Sequence, residues 1–212
     1  MANISKINGF KPVKHITGAP YNGQANIYAT AAGDGTALFV GDVVKLAADA
    51  NSQGIQNVTA ATAGVAGTGA PVLGVVVGVI NTKLDPVSGA MSSGSISLDT
   101  PVYRPASTAQ YVLVADSPDL LFEVEATAAG SAYAFAVADV GQNANFVATA
   151  GSTVTGNSQH ALNMSDVGTT STLPFKIHGV SQKIGNEITG NYTKVLVSIN
   201  NHQYKSVGTV GV

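Results

Sequence analysis

The chain is cut into short pieces by its turn residues. Its 24 glycines and 8 prolines interrupt it at intervals that leave little room for a stable helix. The stretches between them are short and rich in Val, Ile, Leu and Tyr. The clearest are residues 43–47 (VVKLA), 71–80 (PVLGVVVGVI), 110–115 (QYVLVA), 120–126 (LLFEVEA), 173–182 (LPFKIHGVSQ) and 194–200 (KVLVSIN). Each reads as a β-strand by composition and length. Shorter strand candidates lie at 26–30, 38–40, 56–60, 96–98, 102–103, 145–148 and 159–162, and the Ala-rich spacing near 132–138 allows one short helix. The expectation is an all-β fold, an antiparallel barrel or sandwich.

Two strands carry more detail. Residues 71–80 are apolar almost throughout, as for a strand buried on both faces, and Gly74 and Gly78 mark a bend or bulge. In 120–126, Phe122, Val124 and Ala126 share one face while Glu123 and Glu125 share the other, which reads as a solvated face. Asp116-Ser117-Pro118-Asp119 joins this strand to 110–115 as a hairpin turn. Residues 1–25 differ from the rest: Gly9, Pro12, Gly18, Pro20 and Gly23 separate Ile4, Ile7, Phe10, Val13, Ile16 and Tyr21. They read as an extended N-terminal arm ahead of one all-β domain over 26–212, either reaching to a neighbouring subunit or lying on its own domain. The chain shows no exact internal repeat on this reading.

Charge limits the partners. Charged residues make up 10% of the chain, far below the usual ~25%, so little keeps copies apart. The charges are also unevenly placed. Lys6, Lys11 and Lys14 precede any acid, the span 85–166 holds eight acids against Arg104, and four lysines face only Glu187 after residue 171. Basic ends and an acidic middle suit attraction between protein surfaces, whereas a single Arg and a net charge of −2 argue against nucleic acid. The N-terminus lacks the apolar stretch of a signal peptide, and the apolar run 72–80 is too short for a membrane helix. A soluble protein made in the cytoplasm is expected, with no membrane partner.

No chemistry stands out along the chain. There is no Cys, so no thiolate metal site or thiol nucleophile. His15, His160, His178 and His202 lack metal-ligand spacing, and no G-x-S-x-G elbow occurs. Glu123 with Glu125 is better read as a strand face than as an acid–base pair, and Asp116 with Asp119 as turn caps than as calcium ligands. The glycines at 64, 67 and 69 lack the Lys-Ser/Thr of a phosphate loop. The expectation is a non-enzyme with no cofactor and no metal.

Several stretches together resemble a group of structural proteins of tailed double-stranded DNA phages. They are residues 9–13 (GFKPV), 18–24 (GAPYNGQ), 39–44 (FVGDVV), 71–78 (PVLGVVVG), 103–108 (YRPAST), 112–124 (VLVADSPDLLFEV), 139–143 (DVGQN) and 197–202 (VSINNH). The resemblance spans nearly the whole chain and carries no catalytic motif. It implies a head decoration, or cement, protein on the outer head surface of the virion, bound to the major capsid protein and to itself as a homodimer or homotrimer, the trimer favoured. The alternatives are a carbohydrate- or receptor-binding head fibre module, or another minor head or head–tail component. On this reading Phe10, Ile16 and Tyr21 anchor a partner, and Lys6, Lys11 and Lys14 meet an acidic surface.

Overall fold

The computed structural model describes residues 3–63, 70–80 and 101–205. The glycines at 64, 67 and 69, the strand candidate at 96–98, the acids Asp85 and Asp99 and the last seven residues lie outside that set. Within it the protein is all-β, with eleven strands and a single turn of 3-10 helix at Val137–Asp139. That turn replaces the short helix expected near 132–138.

Strand β1 (Lys11–His15) is followed by β2 (Asn26–Thr30), β3 (Val43–Ala50), β4 (Gln56–Ala60), β5 (Gly74–Ile80) and β6 (Gln110–Ala115). Strands β2 to β6 close into a barrel in the order β2-β4-β3-β5-β6. Next come β7 (Leu120–Thr127), β8 (Asn143–Val147), β9 (Ala161–Gly168), β10 (Phe175–Val180) and β11 (Lys194–Ile199). They form a sheet in the order β7-β11-β10-β8-β9, and β9 pairs back onto β7 through Ala126↔Leu162 and Thr127↔Asn163. This pairing completes a second ring of five strands. Among the described residues, ring closure pairs both edges of β2 to β11 and leaves only the short β1 at a sheet edge, which answers the aggregation hazard of a weakly charged β protein.

The two rings are the same design repeated. Numbered from the first strand of each, both have the order 1-3-2-4-5, with strands 1 and 3 parallel and every other pair antiparallel. In the first ring Gly41 N–H donates to Val76 O at 2.8 Å and Val76 N–H to Asp42 O at 2.9 Å; in the second Gly141 donates to Ile177 O at 2.9 Å and Ile177 to Gln142 O at 2.9 Å. Both glycines have positive φ, 100° and 90°, a conformation that costs an L side chain energy. The fourth strands slip register at matching points, between Val76 and Gly78 and between Ile177 and Gly179, so the bulge expected around Gly78 is present twice. Strands β2 and β7 run into the same five residues, Ala29-Thr30-Ala31-Ala32-Gly33 and Ala126-Thr127-Ala128-Ala129-Gly130. The single domain expected over 26–212 is therefore a tandem pair, and the short exact repeat that marks it escaped the sequence reading.

The two barrels are joined by apolar packing. One apolar cluster joins Val43, Val72 and Val75 of the first barrel to Phe122, Phe146, Phe175 and Val197 of the second, while a smaller cluster around Tyr28, Leu46, Val76 and Val112 belongs to the first alone. Phe10 sits in the shared cluster, stacked on Phe175 with ring centres 4.5 Å apart and edge-on to Phe146 at 6.5 Å.

Candidate partner-binding surface

The N-terminal segment is stapled along the second barrel. Asn3 Oδ1 accepts the Glu187 N–H at 2.7 Å. Glu125 accepts the Ser5 hydroxyl at 2.8 Å and the Lys6 N–H at 2.7 Å. Strand β1 then pairs antiparallel with β7 from Lys11↔Glu123 to His15↔Leu120. The chain folds back on itself, with the His15 N–H on Ala19 O at 2.8 Å and the Tyr21 N–H on Val13 O at 3.1 Å. Of the two placements open to residues 1–25, the structure shows the one in which they lie on their own domain.

This placement sorts the six candidate contact residues. Phe10 is 1% exposed and packs inside its own core, so it is not a partner anchor. It is buried because it is the large apolar side chain that fills the seam between the barrels. Tyr21 is half-buried against the same cluster, and its hydroxyl donates to Gln24 O at 3.0 Å. Burial holds its phenol above the ordinary pKa, and it too serves its own fold first. Lys6, Lys11, Lys14 and Ile16 remain exposed, with Ile16 at 48%. Lys11 and Lys14 lie on the hydrogen-bonded strand β1 and Lys6 and Ile16 flank it, so the N-terminal segment presents a basic, partly apolar ridge.

The acidic face of β7 is not solvated, contrary to the sequence expectation, because the N-terminal segment and the 181–187 loop cover it. Glu123 and Glu125 are 6% and 3% exposed. Glu123 accepts the Ser181 hydroxyl at 2.6 Å and pairs with the Lys183 ammonium at 2.9 Å. Burial pushes its carboxyl up, but the hydrogen bonds from Ser181 and Lys183 and the charges of Lys183 and Lys194 outweigh this and leave it below the ordinary value. Glu125 is held by Ser5 and the Lys6 backbone. Both carboxylates are engaged: Glu125 pins the N-terminal segment, and Glu123 holds the loop at Ser181 and Lys183.

Asp42, Ser158 and His160 meet at the seam between the barrels, and these are the residue types of a hydrolase triad. The geometry is not that of a triad. The Val43 N–H donates to His160 Nδ1 at 3.2 Å, which puts the ring proton on Nε2, 3.4 Å from Asp42 Oδ1. Ser158 bonds to Asp42 rather than to the imidazole, and its hydroxyl oxygen accepts the His160 N–H at 2.9 Å. All three are buried, Ser158 to 1% exposure. Burial pushes Asp42 up to about 6, against the lowering pull of the Ser158 hydroxyl and the Phe39 N–H, and pushes His160 down to about 4. The trio clamps the second barrel onto the Gly41 turn of the first.

Arg104 is fully buried and donates to three carbonyls, those of Thr108, Thr36 and Ala31, with Asp34 at 3.7 Å. It ties two loops of the first barrel together, an internal role the sequence reading had not assigned. His202 is buried too, with Nε2 2.8 Å from Asp116 O. A polar cleft of about 510 Å³ lies beside the ridge, lined by His15, Tyr21, Gln24, Asn26, Asp116 and Ser117. Among the described residues no group of three or more His, Asp or Glu side chains is placed to hold a metal ion, and no helix is long and apolar enough to cross a membrane. No protein-family model matches the chain, and neither does any curated protein or solved structure.

Proposed function

We propose that this chain is a virion structural protein of a tailed double-stranded DNA phage, a decoration or cement protein that binds the outer head shell and ties neighbouring major capsid subunits together. The observation that carries it is the exposure of Lys6, Lys11, Lys14 and Ile16 along an N-terminal segment fixed in place, Lys11 and Lys14 on a strand paired with β7 and Lys6 held at its backbone by Glu125. Such a surface meets an acidic protein face with little ordering cost, since the strand is already in place. A protein of this kind works by mass action: it binds the assembled shell and not the loose subunits, and so favours the shell. Many copies on one lattice multiply a modest contact. The sequence resemblance adds the phage assignment.

The test is co-sedimentation of the purified chain with mature heads of the phage that encodes it. The wild type is expected to saturate the heads at a fixed copy number per shell. The triple variant Lys6→Glu, Lys11→Glu, Lys14→Glu is expected to bind at least about tenfold more weakly. Wild-type protein that stays in the supernatant, or a triple variant that binds as wild type, overturns the reading.

The polar cleft favours a second reading, the carbohydrate- or receptor-binding head fibre module. Asp116 is held ready there by Asn26 Nδ2 at 3.0 Å and the Tyr28 hydroxyl at 2.6 Å, and a pocket of this size holds a small polar ligand. Glycan-array binding that is lost in Asp116→Ala would select this reading.

A further inference from the structure

The repeat sets one position of the first barrel against its twin in the second. The fourth strand of each ring carries a bulge, in which two residues stand opposite one on the neighbouring strand. The extra residue is Val77 in β5 and His178 in β10. Bulges re-aim a side chain, so what each one presents is informative. His178 is exposed, follows the exposed Lys176 closely, and has its Nε2 2.8 Å from Ser198 Oγ. It suits a bulge that meets water.

Val77 does not. It is half-buried and lines a pocket of about 300 Å³ between the first barrel and the N-terminal segment. The buried Phe10 and Val76 and the half-buried Pro12, Tyr21 and Val40 line it too. No acid borders the pocket among the described residues, and Lys11, which is exposed, is the one charged side chain there. Glu123, opposite Lys11 across the strand pair, is already engaged by Ser181 and Lys183. A concavity with this lining gains free energy by taking in apolar surface, and the cation beside it favours an apolar group that arrives with negative charge. The volume is at the small end of ligand pockets and suits a single side chain. Lys11 belongs to the basic ridge as well, so a partner seated on the ridge lies against the mouth of the pocket.

We propose that this pocket takes one large apolar side chain from an acidic protein segment, whose carboxylates meet Lys11. The inference rests on the reading of the ridge as the head-binding surface, which makes that segment part of a capsid subunit. It adds the anchor that lysines alone do not supply. Exposed charges steer encounter and set orientation, whereas an apolar group buried in a pocket holds the complex together. Phe10 then serves binding indirectly, by helping to build the hole into which the partner's anchor fits.

Binding of the purified full chain to mature heads, followed from low to high salt, tests it. Val77→Phe fills the pocket from its own wall. It is expected to weaken head binding by about tenfold or more at every salt concentration, with unchanged thermal unfolding. Val77→Thr keeps the shape but lines the pocket with a hydroxyl; it is expected to weaken binding in the same way and serves if the Phe variant folds poorly. His178→Phe, the matching change at the twin bulge, leaves binding unchanged. Removing the ridge charges instead flattens the salt dependence. If both Val77 variants bind as wild type while the lysine triple variant is lost, the pocket proposal falls and the ridge reading stands. Wild-type chain that fails to bind heads overturns both. A loss in His178→Phe equal to that in Val77→Phe, or a Val77→Phe defect confined to low salt, overturns the pocket proposal as well.

Discussion

At the scale of single residues, the Asp42–His160 contact makes a signed prediction about pH. The carboxyl titrates higher in the folded chain than in the unfolded one, and the imidazole lower. Between about pH 4 and 6 folding takes a proton from the imidazole and puts one on the carboxyl, so the two contributions to the pH slope oppose each other. Asp42→Asn leaves the depressed imidazole alone. Relative to wild type, this variant loses stability as pH falls from 6.5 toward 4. His160→Gln leaves the raised carboxyl alone, whose contribution is full at low pH and is lost as pH rises through about 6. Thermal melts of the three proteins across this range check both signs. Phe10 gives the second residue-scale expectation: Phe10→Ala lowers stability by ~3–5 kcal/mol, the cost of emptying a packed aromatic site, read by denaturant unfolding. A small loss would mean that the ring is not part of the core.

At the scale of elements, the repeated glycine turn separates two costs that usually come together. Gly41→Ala adds a Cβ in a positive-φ conformation and drives it against Asn8, Gly9 and Ser158. Gly141→Ala carries the conformational strain into open space. The second change is expected to cost about 1 kcal/mol and the first clearly more; equal losses would refute the claimed burial of the first turn. The staple on β7 makes a similar statement about the N-terminal segment. Glu125→Ala removes the acceptor for the Ser5 hydroxyl and the Lys6 amide. Residues 3–9 are then expected to exchange amide hydrogens faster and to be cut sooner by protease, while β1 stays protected by its pairing with β7. Unchanged exchange at residues 5 and 6 would rule the staple out.

At the scale of the whole molecule, the two barrels are alike in topology and are joined through one apolar cluster. Val43, Val72 and Val75 pack in one cluster with Phe122, Phe146 and Phe175, and the Asp42 clamp and Phe10 close the seam. Calorimetry is expected to show one cooperative transition with equal calorimetric and van't Hoff enthalpies. Two resolved transitions would mean that the barrels unfold as separate units. The seam also explains why the first turn is buried, since the second barrel occupies its outer side.

Much of this architecture was legible in the residues, and the parts that were not share a cause. Alternation at 120–126 and the Val-rich strand with Gly78 are local patterns, set by side-chain period and backbone sterics, and they placed the strands. The Asp-Ser-Pro-Asp turn read as a hairpin, but β6 and β7 do not pair: each closes a different ring, so the turn is the link between the two barrels. The tandem design was also written in the chain, in the duplicated Ala-Thr-Ala-Ala-Gly, but five small residues say little until hydrogen bonding aligns them. What only the tertiary structure decided is which faces meet. Glu123 and Glu125 read as solvated because their strand alternates, yet the groups that cover them lie 58 and 120 residues away along the chain. Phe10 read as an anchor for a partner because the cavity that takes it is built by Phe146 and Phe175. Local chemistry dictates how a segment is shaped; burial depends on distant neighbours, and those are set only when the whole chain closes.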